Sequence, residues 1–202
     1  MIRSMTRSTI NNEQWYKSML AGNPAPVGYE LIQTQVLGSP QSIVNLSNLG
    51  QFASTYRHLQ IRTLQRGTNA EVAWQAVMWL NGNTSTSSYA MHQVGGNGSS
   101  LYTEAVVSGN LGGIAPTLRI PAANGTSGAF AAGVIDILDA YSTTKNKTIR
   151  TLQGVHQSQS QVVLSSGLFL STNAIDSISF QLQGANGNFA TGSRFSIYGI
   201  RG

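Results

Sequence analysis

The sequence predicts an all-β fold, an antiparallel β-sandwich or jelly roll, preceded by an N-terminal arm with a short helix. Three observations predict it. From Tyr29 onward, about eight to ten short apolar or alternating runs recur at near-regular spacing, the signature of a sandwich. Turn signals separate the runs: the 202 residues include 22 glycines, gathered in stretches such as Asn81-Gly82-Asn83 and Gly184-Ala185-Asn186-Gly187-Asn188. Charged residues are only 9% of the chain, against about 25% in typical soluble proteins, while hydrophobic residues are 41%. A core can form, and its surface must be built from Ser, Thr, Asn and Gln.

This length suits one ordinary domain able to bury a core without staples. The chain has no cysteine, which excludes disulfides and thiolate metal sites. No apolar run approaches the roughly 20 residues of a membrane helix. Arg3 and Arg7 near the start are not followed by the apolar core of a signal peptide, so the start reads as mature. The net charge of +5 is a mild bias. No dense Lys/Arg cluster accompanies it, which argues against nucleic acid as a partner.

Residues 1–28 differ from the rest. Asn11 and Gln14 make an approximate capping box for a short helix over about Asn12 to Leu20, and Gly22 suits its stop. Trp15 and Met19 are four apart, as are Tyr16 and Leu20, giving one apolar stripe. A helix this short is marginal in water, so a surface must cover the stripe. The stiff Asn23-Pro24-Ala25-Pro26 spacer favours an arm reaching a neighbouring subunit or partner over one folded back on its own domain.

The β-domain is expected over residues 29–202. Tyr29 to Val36 is a first strand. In His58-Leu59-Gln60-Ile61-Arg62, Leu59 and Ile61 point inward, and His58, Gln60 and Arg62 outward. Val72 to Leu80 is apolar enough to be covered on both faces, one of them by a neighbouring chain. Thr84 to Pro121 is the least regular region, with short strands around Tyr89 to Gln93 and Leu118 to Ile120 between long loops. Phe130 to Arg150 reads as a hairpin, followed by Val162 to Leu164, Gly167 to Leu170, and alternating runs over Ser177 to Gln183 and Phe195 to Ile200. Closing on a core strand assigns any tether to the N-terminal side.

Candidate chemistry is sparse. His58, His92 and His156 are isolated, without a second ligand at metal spacing. Nucleophile-elbow and phosphate-loop motifs are absent. Asp136 and Asp139, three apart on a strand, point to opposite faces and cannot make a general acid/base pair. With Lys147 and Arg150 they read as structural ion pairs; Arg194 is a further base for Asp136. The five Asn-x-Ser/Thr sequons fit chance in so Asn- and Ser-rich a chain. No catalytic, cofactor-binding or metal residues are assigned, and the expectation is a non-enzyme.

Several motifs recur in order: Tyr29-Glu30-Leu31-Ile32, Thr55-Tyr56-Arg57-His58-Leu59-Gln60-Ile61-Arg62, Leu80-Asn81-Gly82-Asn83, Val134-Ile135-Asp136-Ile137-Leu138-Asp139, Lys145-Asn146-Lys147-Thr148, Ser166-Gly167-Leu168 and the ending Ser193 to Gly202. Together they resemble a β-domain of tailed-bacteriophage virion structural proteins, found in head-decoration (cement) proteins and in tail-fibre-like proteins. The resemblance covers about residues 29–202 and implies a non-enzymatic, trimeric, jelly-roll-like module on the particle surface. With only a short arm before the domain, a capsid decoration protein fits better than a fibre. Its partners would be the major capsid protein, its own subunits in a homotrimer and a further spike or fibre protein, with no membrane. Trp15, Tyr16, Met19 and Leu20 would grip them. The alternative is a tail-fibre or spike component that binds host-surface glycans through loops carrying Tyr89, His92 and Tyr102.

Overall fold

The computed structural model describes residues 28–107, 114–155 and 160–202. Among these, twelve strands alternate with tight turns. They are β1 (Tyr29–Val36), β2 (Ile43–Leu46), β3 (His58–Gln65), β4 (Ala73–Leu80), β5 (Tyr89–Gly96) and β6 (Leu101–Val107). The second half holds β7 (Ile114–Pro121), β8 (Ala131–Leu138), β9 (Lys147–Val155), β10 (Gln161–Phe169), β11 (Ile178–Leu182) and β12 (Arg194–Ile200). One sheet has the order β1-β12-β3-β8-β9-β10-β5-β6 and the other β2-β11-β4-β7, all neighbours antiparallel where a register is resolved. The two sheets pack as a β-sandwich, and the sandwich unit spans Leu31–Gly202.

The connectivity separates two parts of the larger sheet. In chain order β1, β2, β3 and β4 alternate between the larger and the smaller sheet, β7 pairs with β4 in the smaller one, and β8, β11 and β12 alternate again. The β5–β6 hairpin is inserted in the chain between β4 and β7, and the β9–β10 pair between β8 and β11. Both insertions join the larger sheet beyond β8.

Period-2 alternation builds the core directly. Leu59 and Ile61 of β3, Ile135 and Ile137 of β8, Ile149 of β9, and Phe195 and Ile197 of β12 are fully buried. Opposite them, Val44, Leu46, Met78, Leu80, Ile178, Phe180 and Leu182 are fully buried from the smaller sheet.

Three expectations change. The runs Val162 to Leu164 and Gly167 to Leu170 are one strand, because Ser165 and Ser166 continue the ladder to both β9 and β5. Leu101–Val107, within the region read as irregular, is a full strand paired to β5. Gln60 faces outward but is only 7% exposed, since neighbouring side chains on this central strand close over it.

Candidate functional site

The hairpin of β8 and β9 sets Asp136 directly opposite Arg150, on the outer face of the larger sheet. Arg150 Nη2 lies 2.9 Å from Asp136 Oδ2. Gln60, across the other side of β8, donates through Nε2 to Asp136 Oδ1 at 2.9 Å. Gln60 Oε1 in turn accepts from Arg62 Nε at 3.2 Å, and the Arg62 guanidinium lies 5.0 Å from the centre of the Tyr198 ring. A polar row thus crosses four strands, with one carboxylate held between an arginine and an amide. It is satisfied by its own neighbours and offers no free acid or base.

Asp139 stands apart from it for a reason strand phase does not supply. It lies past the end of β8 with φ 47°, a left-handed turn conformation that Asp tolerates. Its carboxylate receives Lys145 Nζ at 2.7 Å and Arg57 Nε at 2.6 Å, while its N–H donates to His58 Nδ1 at 2.8 Å. The hydrogen bonds from Lys145 and Arg57 hold its carboxyl at about 2, below the ordinary 3.8. A depressed folded value stabilises the fold fully above about pH 4, and that contribution is lost as the pH falls through about 2. Asp139→Asn is expected to flatten the dependence of Tm on pH between those limits. An unchanged slope would contradict the assignment.

Lys147 corrects the expected ion pairing. It begins β9 in the same phase as Ile149, so its side chain points inward and is fully buried. Its ammonium rests on three backbone carbonyls, those of Ser142 at 2.6 Å, Lys145 at 2.9 Å and Thr172 at 3.2 Å. Burial pulls it below the usual lysine range and the charge of Asp139 pulls it back. Three N–H donors meet three acceptors, and the site is a lock between the 139–146 turn and the segment after β10.

The glycan-contact residues are also corrected. Tyr89 is not a surface platform: it is 4% exposed, stacked on Phe169 with ring centres 5.0 Å apart. Its hydroxyl donates to the Asn83 carbonyl at 2.6 Å and accepts from the Leu80 N–H, and burial pushes its pKa up to about 12. Tyr102 lies on β6, not on a loop, with its ring against Gly95 and its hydroxyl donating to Gln161 Oε1 at 3.3 Å. His92 is exposed on the outer face of β5, opposite Ser166. The fold does not gather the three into one binding loop. Trp15, Tyr16, Met19, Leu20 and His156 lie outside the described residues.

The feature missed by sequence reasoning is the outer face of the inserted strands. Register places Val94, Leu164, Leu152 and Val134 in one row across β5, β10, β9 and β8. Val94, Leu164 and Leu152 are 46%, 46% and 54% exposed, and Val162 and Leu138 nearby are 61% and 43% exposed. The opposite side of the same strands carries buried Gln93, Ser165, Thr151 and Gln153. These strands therefore put aliphatic side chains on the side that one chain leaves uncovered. A cleft of about 710 Å³ runs along this face between His92, Val94, Leu164 and Leu138. The signal in the sequence was the unbroken run Val162-Val163-Leu164, which puts aliphatic residues at both phases of β10.

Among the described residues, no group of three or more His, Asp or Glu side chains could hold a metal ion. No helix among them is long and apolar enough to cross a membrane. No family model and no curated protein matches the chain. Among solved structures it is similar to the fructofuranosidase from Schwanniomyces occidentalis complexed with fructose, at 8% identity over 88% of this chain and 35% of that one, with a TM-score of 0.28. It is also similar to the Ruminococcus gnavus IT-sialidase CBM40, at 9% identity over 84% of this chain and 92% of that one, TM-score 0.28. The chain thus spans about a third of the fructofuranosidase chain's length. Likenesses of this size carry no functional argument for it.

Proposed function

We propose that this chain is a non-enzymatic structural protein of a tailed-bacteriophage virion, a capsid decoration or cement protein that binds the head shell and stabilises it. The observation that carries the reading is the uncovered aliphatic face of the larger sheet. Antiparallel sheets that face water carry polar residues on that side, and an exposed apolar patch of this extent marks a surface that works against another protein. The virion setting rests on the ordered motifs of residues 29–202. The jelly-roll description rests on the order β1-β12-β3-β8 facing β2-β11-β4-β7, the arrangement of two interlocked Greek keys. Residues 1–28 would supply the arm, with Trp15, Tyr16, Met19 and Leu20 contacting coat protein or a neighbouring subunit of a homotrimer.

The test is reconstitution. Phage heads stripped of this protein are expected to lose thermal or mechanical stability and to regain it when the purified chain is added back. Deletion of residues 1–22 is expected to weaken that rebinding. Failure to rebind heads, or binding confined to tails, would overturn the cement reading. A glycan-binding spike is not favoured by any described feature, because Tyr89 is in the core and Tyr102 is packed on its own sheet.

A further inference from the structure

Asn81, Asn97, Asn124 and Asn186 each precede a glycine. Such a pair is chemically labile, because a glycine nitrogen unshielded by a Cβ can reach the asparagine side chain and attack its carbonyl carbon. Attack needs a free glycine N–H, a polarised side-chain carbonyl and an amide nitrogen free to leave. The fold supplies these unequally.

At three of the pairs it withholds one of them. Gly125 N–H donates to the Ala122 carbonyl at 3.0 Å, in the turn whose Gly125 carbonyl Arg66 holds. Gly187 N–H donates to the Ala185 carbonyl at 3.1 Å, and the glycine is packed on the Asn69 backbone. Asn81 is gripped at both ends of its side chain. Its Oδ1 accepts from the N–H groups of Asp176 at 2.8 Å and Ser177 at 3.2 Å, and its Nδ2 donates to the Ala174 carbonyl at 2.8 Å, which retains the leaving nitrogen.

The Asn97-Gly98 pair, at the tip of the β5–β6 hairpin, meets all three conditions. Among the described residues, neither Gly98 N–H nor Asn97 Nδ2 has a hydrogen-bond partner. Both residues are exposed, and a Cβ on Gly98 would meet nothing within 4 Å. Asn97 Oδ1 accepts three hydrogen bonds: from Ser99 N–H at 3.0 Å, Ser99 Oγ at 3.0 Å and Ser100 N–H at 2.8 Å. Donors so placed draw electrons from the side-chain carbonyl and stabilise the oxyanion that forms when a nucleophile adds to it.

We propose that Asn97 is a modification site, where the chain deamidates itself with water as the co-reactant. Gly98 N gives its proton to solvent base and bonds to Asn97 Cγ. The Cγ–Nδ2 bond then breaks, and the nitrogen takes up a proton and leaves as ammonia. One water opens the resulting succinimide, at Cγ to give aspartate or at the main-chain carbonyl carbon to give isoaspartate. An aspartate carboxylate accepts from the same three donors, now charge-assisted, so the turn keeps its form. Isoaspartate adds a backbone atom to the loop between the paired Gly96 and Leu101, and disturbs the hairpin.

The experiment incubates the full chain in mildly alkaline buffer, folded and in concentrated urea, with peptide mass spectrometry following amide-to-acid conversion at all four asparagines. In the folded chain Asn97 is expected to convert at least about fivefold faster than each of the others. In urea, where the local hydrogen bonds are lost, the four rates are expected to converge. Ser99→Ala removes one of the three donors from an exposed turn, and is expected to slow Asn97 at least about twofold in the folded chain at an unchanged Tm. Conversion of Asn97 no faster than that of Asn124 or Asn186 in the folded chain would overturn the proposal. So would a lead that persists in full in urea, or a folded Ser99→Ala variant that converts at the native rate.

Discussion

Lys147→Met is expected to lower the unfolding free energy by about 3 kcal/mol, read from urea denaturation at neutral pH. Methionine keeps an apolar stem of similar length, so the packing against the core is largely retained. What disappears is the ammonium that three carbonyls share, and each buried acceptor left without a donor costs about 1–3 kcal/mol, moderated where water can reach it. Lys145→Met is the contrast. Its ammonium also makes a short contact, 2.7 Å to Asp139, but the side chain is 58% exposed. An exposed pair of that kind contributes only about 0.2–1 kcal/mol. A loss below about 1 kcal/mol for Lys147→Met, or equal losses for the two lysines, would contradict the carbonyl lock.

Arg66 repeats the device at the other end of β8. Its guanidinium donates to the carbonyls of Thr126 at 2.7 Å and Ala129 at 2.9 Å, with Gly125 at 3.3 Å, and gathers the turn before β8. The chain has twelve Lys and Arg but seven Asp and Glu. Its bases cannot all find carboxylates, and two of them close loops by binding backbone oxygen instead. Searching the sequence for an acid beside each base therefore assigned Lys147 the wrong partner. Phase alone would have separated it from Arg150: residue 147 shares the inward face with Ile149, and residue 150 takes the outward face opposite Asp136.

Some strand bounds were legible from the pattern alone. Tyr29–Val36 and Ile178–Leu182 have the bounds that alternation suggests, to within a residue or two. The inserted strands were harder, because their two faces are both mixed. In β5, Tyr89, Met91 and Gln93 point in while Ala90, His92 and Val94 point out, so neither phase reads as wholly apolar or polar. β6 carries Thr103 and Glu104 at its centre and looked like loop. The aliphatic row of Val94, Leu164, Leu152 and Val134 could not be assembled from the sequence, since its members come from four strands and only the pairing register aligns them. Candidate contacts were placed instead on aromatic residues near glycine-rich turns. A tyrosine in such a stretch is as free to enter the core as to face solvent, and Tyr89 enters it.

Phe195→Ala is expected to cost about 3–5 kcal/mol, the range for deleting a fully buried aromatic ring. The position explains the size. Phe195 belongs to β12 of the larger sheet, and its ring centre lies 4.9 Å from that of Phe180 on β11 of the smaller one. Phe189 approaches it edge-on at 5.2 Å from the connection between these two strands. That third ring follows a run of Gly and Asn residues that reads as pure turn, yet it is fully buried because its backbone pairs with Gln41 in both directions. Removing Phe195 takes one shared neighbour from both other rings, so the sheets lose contact at the point where turn, β11 and β12 converge. Phe195→Leu keeps most of the volume and is expected to cost about 1–2 kcal/mol. Both are read from guanidinium unfolding of the full chain. A Phe195→Ala loss no larger than that of Phe195→Leu would show that the cluster relaxes into the space, and that the two sheets are held together elsewhere.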